Sequence, residues 1–492
     1  MKKVTAVFLT SLIMLTAAFS VWTSAADITE QQIDDAITGA FASPAGTDSF
    51  TPAILADTFG GADWLAINLA AAGINANYND YVANRTGQIT SDWASIGISA
   101  KARMAIGLAA AGADPANIGG HNLIEAVYND STLLTLGSNT LSYALMALTA
   151  KDYEIPDNAV NTINGLIEKI CSLQLNDGGF SWDMAPGATI DVDTTSMVMY
   201  ALGRYYKQNA NVKTVLDKAV TAVSLKQATT GGYIGDYDPE ENACTLADVI
   251  TGLCVMGIDP ETDARFVKPG GNALSALMSY KQPDGSFDDD TAYGDPSYTT
   301  TMSIRALLSV KRLRAGECGV FDLRGGRSLQ PTMTDQQLKQ KTDALPQTLS
   351  IDDKQTVLSL RTELSLHENF DGKAAIAKKL DEAMASIAEM EDIVKKLDED
   401  IWNTISPENV KLSDKAAILA LKQRYDQLSE ANKKYVLNAN DITDALAVIA
   451  KLEKVPPMGD NSIVVLMLGL AAVSLLGACT VKSLKRGKNA QI

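Results

Sequence analysis

A glycine turn that returns at near-constant spacing constrains this chain most. An apolar run at helical spacing, Leu166, Ile167, Ile170 and Leu173, leads into Gln174-Leu175-Asn176-Asp177-Gly178-Gly179-Phe180. Paired glycines reach backbone angles closed to other residues, so they end a helix and turn the chain tightly. Gln227 to Tyr233 repeats the pattern 53 residues on, and Gln282 to Phe287 follows 55 residues after that. Asp191-Val192-Asp193-Thr194-Thr195 then opens a further helix with residues suited to an N-terminus, and Thr300-Thr301 opens another. A period near fifty residues marks a helix-turn-helix unit that buries its apolar face by stacking on its neighbours. No sustained strand alternation appears, so this half of the chain is expected to be all-α.

A helix, a Gln, a few residues, Gly and then an aromatic is a pattern that resembles the repeat of the prenyltransferase and squalene-cyclase superfamily. The resemblance covers roughly residues 50 to 313, with its motifs from Gln174 onward. It implies an α/α toroid, with inner and outer rings of helices around a central cavity. Superfamily members include terpene cyclases, prenyltransferase β subunits, cobalamin carriers and complement thioester domains, so the fold alone leaves the function open.

The 492 residues are enough for two or more domains. A net charge of −17 gives no basic footprint, which excludes nucleic acid as the expected partner. Lys2 and Lys3, the apolar run Val4 to Val21 and Thr23-Ser24-Ala25-Ala26 have the form of a signal peptide over residues 1–26. At the other end, 462–481 is an uncharged stretch of 20 residues followed by Lys482, Lys485, Arg486 and Lys488. At about 1.5 Å per residue it spans a hydrocarbon core of about 30 Å, with the basic tail on the cytoplasmic side. Val455-Pro456-Pro457-Met458-Gly459 before it resembles a sortase signal in which Val455 replaces Leu and Met458 replaces Thr. A plain transmembrane anchor is the other reading of 455–492. Both place the folded parts at the cell surface, on the extracellular side. Cys171, Cys244, Cys254, Cys318 and Cys479 show no disulfide-scaffold spacing, and no specific bridge is predicted.

Between these ends, 27–49 is a polar segment with one expected helix, Ile28 to Phe41, and 50–315 is the expected toroid. Residues 316–347, with Gly325-Gly326 and Pro331 and no periodicity, read as a linker. Residues 348–454 carry narrow apolar seams such as Ile387, Met390, Val394, Leu397 and Ile401. Asp353 to Leu360 returns as Asp414 to Leu421, 61 residues later, and the second copy resembles helical-bundle repeats of Firmicute surface proteins. A helical stalk is the expectation.

Asp191-Val192-Asp193-Thr194-Thr195 is the sharpest candidate site. Class II terpene cyclases carry Asp-x-Asp-Asp-Thr, whose middle Asp protonates an alkene; the resemblance makes Asp193 that general acid, with Thr194 standing where the third acid belongs. Such an acid must be held neutral in a dry pocket. The plainer reading is that Asp191 or Asp193 caps a helix. Trp182, Tyr233, Asp236, Tyr237, Asp238 and Tyr298 lie on or near the turns and helix starts and join Asp191, Asp193 and Thr194 as ligand-binding candidates. Phe180, Trp182, Tyr233 and Phe287, at equivalent places after the glycines, are expected to pack between repeats. His121 and His367 are the only histidines, and no cysteine pair has zinc spacing, so no metal site is predicted. Neither acidic cluster, 236–241 or 288–290, matches a calcium loop, and no residue selects a corrinoid. The Gly-Cys-Gly-Glu-Gln thioester sequence is absent.

The expected protein is therefore a surface-anchored toroid that binds a small molecule or surface partner through its cavity or rim, with no cofactor predicted. A cyclase-like enzyme and a purely structural surface protein are the alternatives.

Overall fold

The computed structural model describes residues 27–57, 60–235, 239–289, 295–324, 326 and 329–454. The expected signal peptide and C-terminal anchor lie outside them. No helix among the described residues is long and apolar enough to cross a membrane. The chain is helical and divides into two compact units, 1–332 and 333–492.

In the first unit, helices that bury nearly every side alternate with helices that bury one face. Six belong to the first kind: α3 (Gly61–Ala71), α5 (Ile98–Ala111), α7 (Ser138–Thr149), α9 (Val192–Gly203), α11 (Ala243–Val255) and α13 (Pro296–Arg314). In α11 every residue from Ala243 to Cys254 except Cys244 is buried, as expected of a helix surrounded by others. Each packs on the next in chain order, and α13 returns to pack on α3, so the row closes on itself. Small residues such as Ala105, Gly107 and Ala109 in α5 allow the close approach.

The other six, α1 (Glu30–Ala42), α4 (Tyr78–Asp92), α6 (Leu123–Tyr128), α8 (Ile163–Ser172), α10 (Ala210–Lys226) and α12 (Ala273–Ser279), back the first set. Between them lie the short helix α2 (Pro52–Ala56) and a two-residue hairpin, β1 (Val267–Lys268) with β2 (Gly271–Asn272).

The three glycine turns are built alike. The peptide N–H groups of Leu175, Ala228 and Gln282 donate to the carbonyls of Gly179, Gly232 and Ser286, at 2.8–2.9 Å. Gly178, Gly231 and Gly285 take φ of +92°, +98° and +96°. The Gln174 side chain donates to Gly178 O and Val215 O, and Gln227 donates likewise to Gly231 O and Phe266 O. Gln282 sits one place later in its turn, in the position of Leu175, and bonds Tyr280 O and Asp288 O instead.

Of the paired glycines only Gly178 takes a positive φ. Gly179 is required for a different reason: a Cβ there would overlap the Ile190 side chain. Gly179→Ala is therefore expected to cost about 1–3 kcal/mol through overpacking. In a double-mutant cycle it should couple to Ile190→Ala, whereas Gly178→Ala, strained through its backbone, should not. Urea melts of the three single and two double variants check this, and equal coupling at the two glycines would reject it.

Each turn rests on the backing helix of the next repeat. Gly178 lies against Lys218 of α10, and Gly231 against Gly271 and Asn272 at the start of α12. Gly285, the last, lies against Gly39 of α1. The N-terminal helix thus takes the place that a seventh repeat would fill. It is held there by Lys311–Asp34 at 2.5 Å, Arg314–Glu30 at 3.0 Å, and the Ile28 N–H on Glu261 at 2.6 Å. The segment 27–49, read from sequence as separate, is part of this unit.

The expected linker 316–347 is shared between the units. Val320, Phe321 and Leu323 are buried in the first unit's core. Leu323 N–H bonds Ala150 O at 2.8 Å, Asp322 pairs with Arg204 at 3.4 Å, and Gly319 lies against Val255. The segment therefore crosses the C-terminal ends of α7, α9 and α11. Its apolar residues fill separate places, which is why they show no period. Farther on, α14 (Asp335–Asp343) belongs to the second unit.

The second unit has two small cores joined by one helix, α16 (Lys373–Thr404). At about 1.5 Å per residue, its 32 residues run about 48 Å. The duplicated stretches are duplicated in structure: a single 3₁₀ turn, Ile351–Asp353 or Leu412–Asp414, leads into α15 (Lys354–Leu366) or α17 (Lys415–Asp426). Asp353 and Asp414 each accept the N–H three residues back. The helices α18 (Glu430–Lys433) and α19 (Ala439–Leu452) complete the unit.

Candidate functional site

The six inner helices turn their few polar residues toward one another. Asp248 of α11 and Arg305 of α13 form a buried ion pair at 2.8 Å, and the Tyr200 hydroxyl of α9 donates to the same Asp248 oxygen. The Arg305 guanidinium lies over the rings of Trp64, Tyr200 and Phe321 at 5.0, 5.8 and 5.9 Å. Residues from α3, α9, α11, α13 and the covering segment thus meet around one cation. Burial opposes the Arg305 charge, yet Tyr200 and Asp248 hold its pKa above the ordinary value. Burial pushes the Asp248 carboxyl up, against the pull of Arg305 and the Tyr200 hydrogen bond. Phe321 packs on Tyr200 at 5.4 Å and closes this end.

Two more tyrosines stand toward the N-terminal ends of the inner helices. Tyr143 of α7 packs against Trp64 at 5.8 Å, and burial pushes its hydroxyl up to about 12, with Arg305, Asp248 and Arg103 all within electrostatic reach. Tyr298 of α13 is 46% exposed, yet its hydroxyl is raised by burial and feels Asp248, Tyr143 and Arg305. Cys244 lies 3.6 Å from the Thr299 hydroxyl; burial, with Asp289, Asp248 and Asp193, raises its thiol to about 12 against the lowering effect of that Thr299 contact.

Beside this line stands a second charged group. Asp63 of α3 is fully buried and accepts from Arg85 of α4 at 2.7 Å, Arg103 of α5 at 3.0 Å and the Tyr81 hydroxyl at 2.9 Å.

The residues singled out from sequence separate clearly. Asp191 is buried and is the N-cap of α9, accepting from Thr194 N–H at 2.7 Å. Its own N–H bonds Phe180 O at 2.8 Å. Thr194 is buried, and the Thr195 hydroxyl accepts the Phe180 N–H at 2.9 Å, as Thr300 does for Phe287 at 3.0 Å. Asp193 points away from the cap, half-buried, toward Gly235 and near Cys244. Tyr233, like Phe180 and Phe287, is fully buried between repeats. Trp182, expected to pack there too, is 47% exposed. Asp236, Tyr237 and Asp238 lie outside the described residues. Among the described residues no group of His, Cys, Asp or Glu could hold a metal ion, and Cys171, Cys244, Cys254 and Cys318 are free.

Because Asp191 alone caps α9, Asp191→Ala is expected to cost about 0.5–2 kcal/mol. Asp193→Ala should cost less, and thermal melts of the two variants order them. A larger loss at Asp193 would show that the cap has been assigned to the wrong acid.

Sequence reasoning missed Asp63, Arg103, Tyr143, Asp248 and Arg305. The available signal was the occurrence of charge within otherwise apolar helices, such as Asp248 between Leu246 and Val249. It also missed a groove of about 650 Å³ lined by Trp93, Lys101, His121 and Glu125. His121 and Lys101 each lie 4.1 Å from the Trp93 ring centre. The Trp93 ring is thus already engaged by two side chains of this chain, and the buried polar cluster between the inner helices is the better candidate site.

No family model matches the chain, and no curated protein matches it.

Proposed function

We propose that the first unit is an α/α toroid of the prenyltransferase and squalene-cyclase type, and that its bore binds a small molecule. The closed row of six helices backed by six others supports the toroid. On this reading the second unit is a stalk, and the C-terminal span anchors the protein at the cell surface.

One observation carries binding over cation chemistry. Aromatic residues are only 6% of the chain, yet Trp64, Tyr200 and Phe321 gather in the bore. A cyclase would use such π-faces to stabilise a carbocation. Here they already hold the permanent cation of Arg305, and a second positive charge beside it would be repelled. Asp193 has polar neighbours, Thr245 and Asn242 across Gly235.

The test is unbiased mass spectrometry of small molecules retained by the full chain purified from its native membrane. A molecule retained by the wild type and lost from Tyr298→Trp, which narrows the opening, is the expected result. Cyclised product from squalene or a shorter polyprenyl substrate, abolished by Asp193→Asn, would overturn it in favour of the enzyme.

A further inference from the structure

The charges around Asp63 do not balance, and the local imbalance has a direction. Asp248 and Arg305 cancel. Asp63 is one carboxylate shared by two arginines, which leaves one positive charge in surplus in a chain of net charge −17. The two arginines are not equivalent. Arg85 is buried, with Nε on Asp63 and Nη1 on Gln88 at 3.0 Å and Asn84 at 3.4 Å. Arg103 is 16% exposed and, among the described residues, bonds Asp63 through Nε alone. Among the described residues its two Nη nitrogens carry no hydrogen bond, and neither is sealed from water.

We propose that Arg103 anchors the carboxylate end of an amphipathic ligand in the bore, an inference that rests on reading the bore as a binding site. A guanidinium fixed through Nε presents its Nη pair as a planar fork, the geometry that takes a carboxylate through two parallel hydrogen bonds. Asp63 holds that fork in place from behind. Arg103 stands in the second turn of α5, as Tyr143 does in α7, and the Tyr143 hydroxyl lies within electrostatic reach of both Arg103 and Arg305. An anion on Arg103 therefore has the Tyr143 and Trp64 rings beside it for its apolar body. The opposite side of the opening, around Cys244, carries Asp193 and Asp289 and repels an anion toward Arg103. The surplus of one charge selects among anions: a carboxylate neutralises it, whereas a phosphate monoester, at about −1.5 to −2, leaves the half-buried site negative.

The test uses the full chain in lipid nanodiscs and three probes with one ring system: 2-naphthoate, 2-naphthyl phosphate and 2-naphthol, each titrated by calorimetry. The expected order has 2-naphthoate about tenfold or more tighter than either of the others. Arg103→Gln should bring 2-naphthoate down to the level of 2-naphthol and leave 2-naphthol unchanged. Arg103→Lys, which keeps the charge and loses the fork, should fall between and guards against a glutamine variant that does not fold. Equal binding of 2-naphthoate and 2-naphthol, or an Arg103→Gln variant that binds 2-naphthoate like the wild type, would overturn the anchor. If 2-naphthol still binds and Tyr298→Trp abolishes it, the bore remains a binding site. Tighter 2-naphthyl phosphate would overturn the carboxylate assignment. Binding of none of the three would overturn both this anchor and the binding function.

Discussion

Asp63→Ala is expected to destabilise the first unit by about 3–5 kcal/mol, the usual cost of removing one partner from a buried ion pair. The carboxylate has no exposed surface and satisfies three donors at once, Arg85, Arg103 and the Tyr81 hydroxyl. Without it the buried Arg85 keeps its charge, because a guanidinium does not deprotonate in a protein, and the Tyr81 hydroxyl loses its acceptor. Burial opposes the Arg85 charge, and the Asp63 carboxylate does most to hold its pKa above the ordinary value, so the loss falls on Arg85 most. Urea unfolding followed by near-ultraviolet circular dichroism measures it. Asp63→Asn, which keeps one acceptor oxygen, should recover part of the loss. A midpoint for Asp63→Ala within about 1 kcal/mol of the wild type would mean that water or another residue replaces the carboxylate.

Asp248→Ala should have a comparable effect, about 3–5 kcal/mol, and here the double variant separates two causes. Asp248 accepts from both Arg305 and Tyr200, and Arg305 is buried beneath three aromatic rings. If the cost is an uncompensated cation, Asp248→Ala with Arg305→Met should be more stable than Asp248→Ala alone, since a flexible apolar side chain suits that aromatic surround. If the cost were mere loss of packing, the second substitution would deepen it. Arg305→Met would also free the π-faces, so the same double variant tests whether the arginine is what keeps the bore from holding a cationic ligand. The readout is affinity for tetramethylammonium, expected to rise in the double variant relative to the wild type.

The sequence determined the repeat. A glycine at positive φ, a Gln that bonds its own turn, and an aromatic whose N–H meets a Thr hydroxyl are local requirements, and they leave marks within about twenty residues. Gly178 and Thr195, Gly285 and Thr300 could therefore be found by spacing. Even so, the Gln alignment is off by one place at Gln282, and the roles of Gly178 and Gly179 are not told apart by spacing. Both glycines of a pair look alike in sequence, and only the backbone shows which one is strained and which one is crowded by Ile190.

Tertiary structure decided the rest. Nothing in Glu30 to Ala42 marks it as the helix on which the last glycine turn rests, because that role depends on the row closing on itself. Nothing in Val320, Phe321 and Leu323 marks a cover, since each fills a place defined by a different helix end. The bore is the extreme case. Asp248 and Arg305 are 57 residues apart, and Asp63 and Arg103 are 40 apart, each pair on separate helices. A lone charge on a helix reads as solvent-facing, and its burial is set by how six helices happen to face one another. Local patterns fixed where the chain turns; closure of the ring fixed which side chains meet inside it, because only closure takes them out of water.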